Sequence, residues 1–377
     1  MERTSDHSLF PLVREPASRW ERTGLTPAQE RHFDAALALL VLIFACGWIY
    51  AIALAAVHGE RMQMAARITT NPFSTTAPPE AAFALDAIMR ELLPVRGASG
   101  AVRVVVQEPG QAPVLSEPLP QGAGIEFTPA PGTPQDTATL AGAPPGRAGI
   151  WNIAIRLRGA VRQVPDLSVI TMVPLTEARA GRIRGYRIGE WPRHGGLAEE
   201  RAAAYAQPRG MIEVTPESMN LQVSDHFRLR DFLTKGQENV WPKYVLMSPR
   251  LLDKLELTIQ ELERMGHPVE NVGVISGFRH PFYNMHGGST AGRGALSRHM
   301  YGDAMDFYID NERNGRMDDL NGDGRVDVAD ARIIAEAAER VERQYPHLIG
   351  GIGIYRPVAG SHSGFVHLDT RGWRARW

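Results

Sequence analysis

His299 and Asp306 stand seven positions apart in "LSRHMYGDAMDFYI" (residues 296–309), with a glycine between them. Imidazole nitrogen and carboxylate oxygen are donors that zinc accepts at about 2 Å, so ligand atoms on one ion lie about 3 to 4 Å from each other. On one continuous helix these residues would be ~10.5 Å apart along the axis, too far to share an ion. The chain must therefore turn back between them, and Tyr301-Gly302-Asp303 suits that turn. Beyond it, "AMDFYI" (304–309) alternates as a strand does. Met305, Phe307 and Ile309 point into a core, while Asp306 and Tyr308 point the other way. A carboxylate set among core-facing residues needs a partner, because an unpaired buried charge is costly. A cation supplies one.

The third ligand is expected on another strand. "GFVHLDT" (364–370) offers His367, which shares a face with Phe365 and Asp369, while Val366 and Leu368 take the opposite one. Two histidines and one carboxylate leave the fourth zinc position open to water. That is the arrangement of a catalytic centre rather than a structural one.

A second polar cluster follows closely. "DLNGDGRVDVAD" (319–330) fits the twelve-residue calcium loop D-x-[DN]-x-[DN]-G-x(5)-[DE], with Asp in last place. Asp319, Asn321 and Asp323 supply side-chain oxygens, Arg325 its backbone carbonyl, and Asp327 and Asp330 the remainder. Gly324 falls where the loop turns sharply, and Val326 is the apolar eighth residue. The pattern resembles dockerin-type calcium loops. Hard oxygen ligands without histidine favour calcium over zinc. Lying between Asp306 and His367, the loop reads as a structural clamp on an insertion, with "ADARIIAEAAERVERQY" as its exiting helix.

Three blocks in order carry a family likeness. "SRHMYGDAMD" fits S-x-H-x-x-G-x-A-x-D, and "SGFRHPFYN" (276–284) is similar to S-G-Y-R-[ST]-P-x-x-N. "GGIGIYRPVAGSHSGFVHLDTRG" (350–372) is similar to a G-G-x-G-x-Y…F-V-H-x-D-x-R/G ending. On these blocks, residues 209–377 resemble the zinc D-Ala-D-Ala carboxypeptidases and related murein endopeptidases of VanY type, which have a hedgehog-like peptidase fold. The resemblance implies hydrolysis of peptide bonds in peptidoglycan stem peptides or crosslinks. It implies His299, Asp306 and His367 as zinc ligands, and Arg279 as the residue that steadies a substrate carboxylate or oxyanion. The sequence departs from the family at the general base. Many of these enzymes place a Glu three residues, or a His two residues, before the last ligand, where this chain has Gly364 and Phe365. Asp369, on the ligand face, and His362, five residues before the ligand, are then the candidates, and alternation of the strand favours Asp369. Asp369 has an equal alternative, that of orienting a ligand. The missing base also keeps open a reading from another class: a non-catalytic module, stabilised by zinc and calcium, that binds cell wall.

These residues need a scaffold. "SPRLLDKLELTIQELERMGHP" (248–268) predicts a helix, with Ser248 as cap, Pro249 in the first turn and Gly266 closing it. Leu251, Leu252, Leu255, Ile259 and Leu262 form its buried stripe. Strands are expected at 271–277, 304–309, 350–355 and 364–370, giving an α+β domain over 209–377. Residues 191–208 read as a linker with a short helix. Upstream, "VRVVVQ" (102–107), "WNIAIRL" (151–157) and "LSVITMVP" (167–174) alternate with period two, with Trp151, Ile153, Ile155 and Leu157 on one face. They predict a β-sandwich-like middle domain over 95–190, interrupted by a Pro- and Gly-rich stretch from 108 to 148.

Composition bounds the rest. With 41 basic and 42 acidic residues the chain is nearly neutral, which argues against nucleic acid as a partner. Cys46 stands alone, which excludes a disulfide framework and a cysteine zinc site. Eight of the 12 histidines lie at or after His226, toward the C-terminal chemistry. Residues 35–57 carry no charge and are numerous enough for a transmembrane helix. Arg3, Arg14, Arg19, Arg22 and Arg31 precede that run, and Arg61 and Arg67 follow it. The bias predicts a single-pass inner-membrane protein with residues 1–34 cytoplasmic and the C-terminal domains periplasmic or otherwise extracytoplasmic. Residues 58–94 are then a stalk ending in a short amphipathic helix, 78–94.

Overall fold

The computed structural model describes residues 104–111, 122–133, 140–141, 145–157, 159–192 and 199–377, save the single positions 110, 289, 291, 359 and 361. A few residues between 28 and 38 are also described. The expected stalk and its helix, most of 1–34 and most of 35–57 lie outside the described residues. Among the described residues no helix is long and apolar enough to cross a membrane. The expected fold class, with its transmembrane helix, and the inner-membrane placement that rested on it are corrected accordingly: the described residues are mixed α and β, with few helices. A span requires a continuous apolar helix of about 20 residues, and none stands among the described residues.

The chain divides into two compact units, Met1–Thr70 and Asn71–Trp377. In the second, the first sheet has the order β1 (Val104–Gln107), β5 (Ala160–Thr171), β4 (Gly149–Leu157), β2 (Ala123–Pro129), β3 (Leu140–Ala141). Its pairs are antiparallel except β1 with β5. The β-sandwich expectation is corrected here, since these strands pair edge to edge in one sheet rather than in two stacked layers. Alternation fixes which residues share a face, not how many sheets the strands make. The face itself is as expected: Trp151, Ile153, Ile155 and Leu157 are buried together with Phe127 and Val169. From the other face Val104, Ile150 and Ile170 join the main core, beside Leu251, Leu255 and Phe307.

A smaller sheet follows, in which β9 (Gly210–Val214) pairs antiparallel with β6 (Val173–Pro174) and β10 (Lys243–Val245). The short hairpin β7 (Arg182–Ile183) and β8 (Tyr186–Arg187) lies between in sequence. The last sheet has the order β11 (Val272–Ser276), β12 (Ala304–Ile309), β14 (Phe365–Asp369), β13 (Gly351–Tyr355), β15 (Ala375–Arg376). Helix α1 (Pro249–Arg264) and helix α3 (Val328–Gln344) pack on each other and against this sheet, and α2 (Pro281–His286) is short. The stripe Leu251, Leu252, Leu255, Ile259 and Leu262 is fully buried. It meets Met305, Phe307, Ile309, Val366 and Leu368 in one core. Pro249 opens α1 as expected, but Ser248 makes no side-chain cap bond. Gly266, at φ 92°, follows the last turn in the left-handed conformation that glycine adopts without a Cβ penalty.

Alternation along β12 and β14 therefore turns Asp306 and His367 to the face away from the helices, and the two residues are register partners. Position, not propensity, makes them neighbours.

Candidate metal centre

Arg298–Tyr301 forms one 3₁₀ turn, closed by Gly302 at φ 71°. A Cβ at Gly302 would lie 2.5 Å from the Leu246 Cβ, so both backbone conformation and space call for glycine. This turn reverses the chain between His299 and Asp306 and lays the His299 ring over the sheet. His299 Nε2 is 3.1 Å from Asp306 Oδ1 and 3.1 Å from His367 Nδ1, and His367 Nδ1 is 2.7 Å from Asp306 Oδ1. Those separations are close to the mutual spacing of about 3 to 4 Å expected of ligands on one zinc ion. All three residues are buried. Among the described residues they are the one group of three or more His, Cys, Asp or Glu that can hold a metal ion.

The far sides of both rings are fixed. His299 Nδ1 lies 2.6 Å from the Gly277 carbonyl, an acceptor only, so the proton sits on Nδ1 and the Nε2 lone pair faces inward. His367 Nε2 lies 3.0 Å from Asp369 Oδ2, which turns Nδ1 inward in the same way. Two nitrogen lone pairs and a carboxylate oxygen thus converge on one point, and such a set fits a cation. Burial would push the Asp306 carboxyl up, but the neighbouring His299 and His367 outweigh it and hold it well below the usual range. Burial lowers His299 to about 4, which keeps it neutral and able to ligate at neutral pH.

Asp369 is not in front of this group but behind it. Its fully buried carboxylate accepts from His367, from the Gly351 N–H at 2.8 Å and from Arg371 Nε at 2.9 Å. Burial opposes its ionisation, yet His367 and Arg371 hold its pKa below the ordinary value. Its neighbour in the stack is Lys254 of α1, whose buried ammonium donates to the Asp369 carbonyl at 2.7 Å and to Glu342 at 2.6 Å. Of the two base candidates, the geometry gives Asp369 the orienting role.

His362, in contrast, opens onto a cavity of about 580 Å³ that also reaches His299, Asp306, His367 and Arg279. Its Nδ1 donates to the Ser363 carbonyl at 2.7 Å, leaving the Nε2 lone pair to accept a proton. Its ring stands edge-on to Phe365, centroids 4.9 Å apart. Arg279 borders the same space, with Nη2 3.8 Å from Asp306 Oδ2. Burial lowers its pKa and Asp306 raises it. His280 is elsewhere: it is buried, caps α2 through Nδ1, and burial lowers it to about 4.

The 319–330 loop is ordered by its own backbone. Asp319 accepts from the N–H groups of Gly322, Asp323 and Gly324, and Asp323 from that of Arg325. Asp330, fully buried, accepts from Leu320, Asn321 and Asp327, and Asp327 caps α3. Its carboxylates are not among the described groups gathered tightly enough to hold a metal.

Several contributors carried no readable signal in the sequence. Gly277 acts through a carbonyl, which no side-chain pattern reveals. Trp377 packs 5.1 Å from the His367 ring and donates its indole N–H to the Tyr355 hydroxyl at 2.7 Å. Arg298, beside the ligand, donates to Asp303 Oδ1 at 3.0 Å and to the Ala204 carbonyl at 2.6 Å, between the rings of Tyr205 and Tyr301. Trp191 donates to the Met300 carbonyl at 2.8 Å, so the segment read as a linker braces the ligand turn. Compared with known proteins, the chain matches no family profile, no curated protein and no solved structure.

Proposed function

We propose that this chain is a zinc-dependent peptidase that hydrolyses peptide bonds in peptidoglycan stem peptides or crosslinks. One observation carries the reading: two histidine nitrogens and one carboxylate oxygen converge within 3.1 Å at the floor of an open cavity. A closed structural site surrounds its metal with four protein ligands, whereas three ligands facing a cavity leave room for substrate. Zinc bound there supplies Lewis acidity and makes water acidic near neutral pH. His299, Asp306 and His367 hold the ion; Gly277 and Asp369 hold the two rings. His362 takes a proton from the attacking water through its free Nε2. Arg279 stabilises negative charge developing on the carbonyl oxygen. The peptidoglycan assignment is supported by the three sequence blocks described above, two of which supply the metal ligands.

Calcium is the second ion of this reading. The 319–330 loop has an oxygen donor at each expected position and a left-handed Gly324 at its sharp turn. It leads directly into α3, which packs against β13 and β14.

Digestion of purified sacculi, followed by mass spectrometry of the muropeptides, tests the activity. Released terminal D-Ala or newly opened crosslinks are expected with the zinc-loaded chain and absent with His299→Ala. Unchanged muropeptides with zinc-loaded wild type on every crosslink type overturn the enzymatic reading and leave the cell-wall-binding module.

A further inference from the structure

Lys254 stands in the buried stripe of α1, between Leu252 and Leu255, and is itself fully buried. An amine in such a place costs free energy unless hydrogen-bonding partners surround it. Burial lowers its pKa, and Glu342 opposes that effect. Packing alone asks for no charge here, since an apolar side chain of similar size fills such a space at no loss of stability.

Two partners meet the amine. Nζ donates to Glu342 Oε1 at 2.6 Å and to the Asp369 carbonyl at 2.7 Å. Glu342, near the end of α3, is anchored in turn. Its Oε1 accepts from the Gly350 N–H at 2.9 Å, and its Oε2 accepts from Arg376 of β15. Lys254 thus rests on a fixed carboxylate and reaches from it to the last residue of β14. Asp369 is held from two sides. Lys254 grips its main chain, while its carboxylate meets His367 Nε2 at 3.0 Å and the Gly351 N–H at 2.8 Å. The fit is close, for a Cβ at Gly350 would strike the Asp369 carbonyl. The bond from ring to carboxylate turns His367 Nδ1 toward the other ligands, and it does so only while the carboxylate stays in place.

We propose, resting on the metal reading above, that Lys254 is a positioning residue for the metal centre. Anchored on Glu342, it fixes the main chain of Asp369 and, through that carboxylate, the orientation of the His367 ring.

The test uses the full chain with zinc or cobalt(II) as the probe. Competition against a chelator is expected to show about a tenfold loss of zinc affinity in Lys254→Met. The double variant Lys254→Met/Glu342→Gln removes both charges of the pair. It should show the same loss with a melting temperature closer to wild type. In an Asp369→Asn background, Lys254→Met should cost nothing further, because both changes act through one ring. The visible absorption bands of the cobalt-loaded chain should shift in Lys254→Met. Leu262→Ala, at the far end of the same stripe, gives the comparison for a purely structural loss. It should lower the melting temperature and leave zinc affinity and cobalt bands as in wild type. Wild-type zinc affinity in both Lys254 variants overturns the positioning role. So does a full additional loss in the Asp369→Asn background, or an equal loss in Leu262→Ala. Failure of the wild-type chain to bind zinc overturns the metal reading and this role together. Zinc binding that depends on Lys254, without cleavage of sacculi, keeps the role and removes the peptidase.

Discussion

Strand alternation favoured Asp369 over His362 for the proton-accepting role, and their surroundings now favour the reverse. Asp369 spends its carboxylate on His367, Gly351 and Arg371 behind the candidate ligands, whereas His362 borders the cavity with Nδ1 bonded to the Ser363 carbonyl. The two therefore fail differently when substituted. Asp369→Asn should weaken zinc affinity about 10- to 100-fold, as losses of a ligand's hydrogen-bond partner do. His362→Gln should keep its zinc and lose about 10²- to 10⁴-fold in kcat. Zinc titration against a chelator, together with muropeptide kinetics on both variants, checks this; the opposite assignment of effects returns the base to Asp369. Period-two alternation could place Asp369 on the face of His367, but it cannot tell in front of a ring from behind it. That distinction depends on which ring nitrogen faces the metal, and a strand pattern does not encode it.

At the level of elements, the candidate metal ligands were legible because each sits on a strand or turn whose period is visible. Met305, Phe307 and Ile309 mark the core side of β12, so Asp306 had to face the other way. The register that pairs Asp306 with His367 was not legible, since β12 and β14 are separated by the whole insertion that contains α3. The insertion also carries the second ion of the account. Calcium bound to 319–330 but not to the unfolded chain should raise the melting temperature in proportion to the logarithm of its concentration. Thermal scans with added CaCl2 should show that rise in wild type and not in Asp319→Ala. A flat response in wild type identifies the loop as an ion-free turn ordered by its Asx bonds. The first sheet shows the limit of alternation from another side: the buried face of Trp151, Ile153, Ile155 and Leu157 was readable, but the pairing of β1 with β5 into the same sheet was not. Period two gives the faces of a strand and says nothing of its neighbours.

For the molecule as a whole, charge-free sequence over 35–57 pointed to a membrane anchor, and no described helix is long and apolar enough to cross a membrane. Hydropathy over one segment bears on a single element, whereas spaced candidate ligands constrain several distant residues at once. Global stability carries its own pH signature. His226 donates through Nδ1 to the buried Glu256 at 2.7 Å, and that hydrogen bond raises its pKa above 6.5 against the opposing effect of burial. The folded protein therefore binds this proton more tightly than the unfolded chain. The contribution is complete below about pH 6.5 and is lost as pH rises through the raised folded value. The loss of stability in His226→Gln, read by denaturant unfolding, should be larger at about pH 6 than at about pH 9. An equal difference at both shows that the pair does not titrate with folding. The central claim is simpler, that three side chains hold one ion. Anomalous diffraction at the zinc edge from crystals of the zinc-loaded protein tests it most directly. A single peak about 2 Å from His299 Nε2, Asp306 Oδ1 and His367 Nδ1 is the result this account predicts; zinc bound elsewhere, or no peak between those atoms, contradicts it.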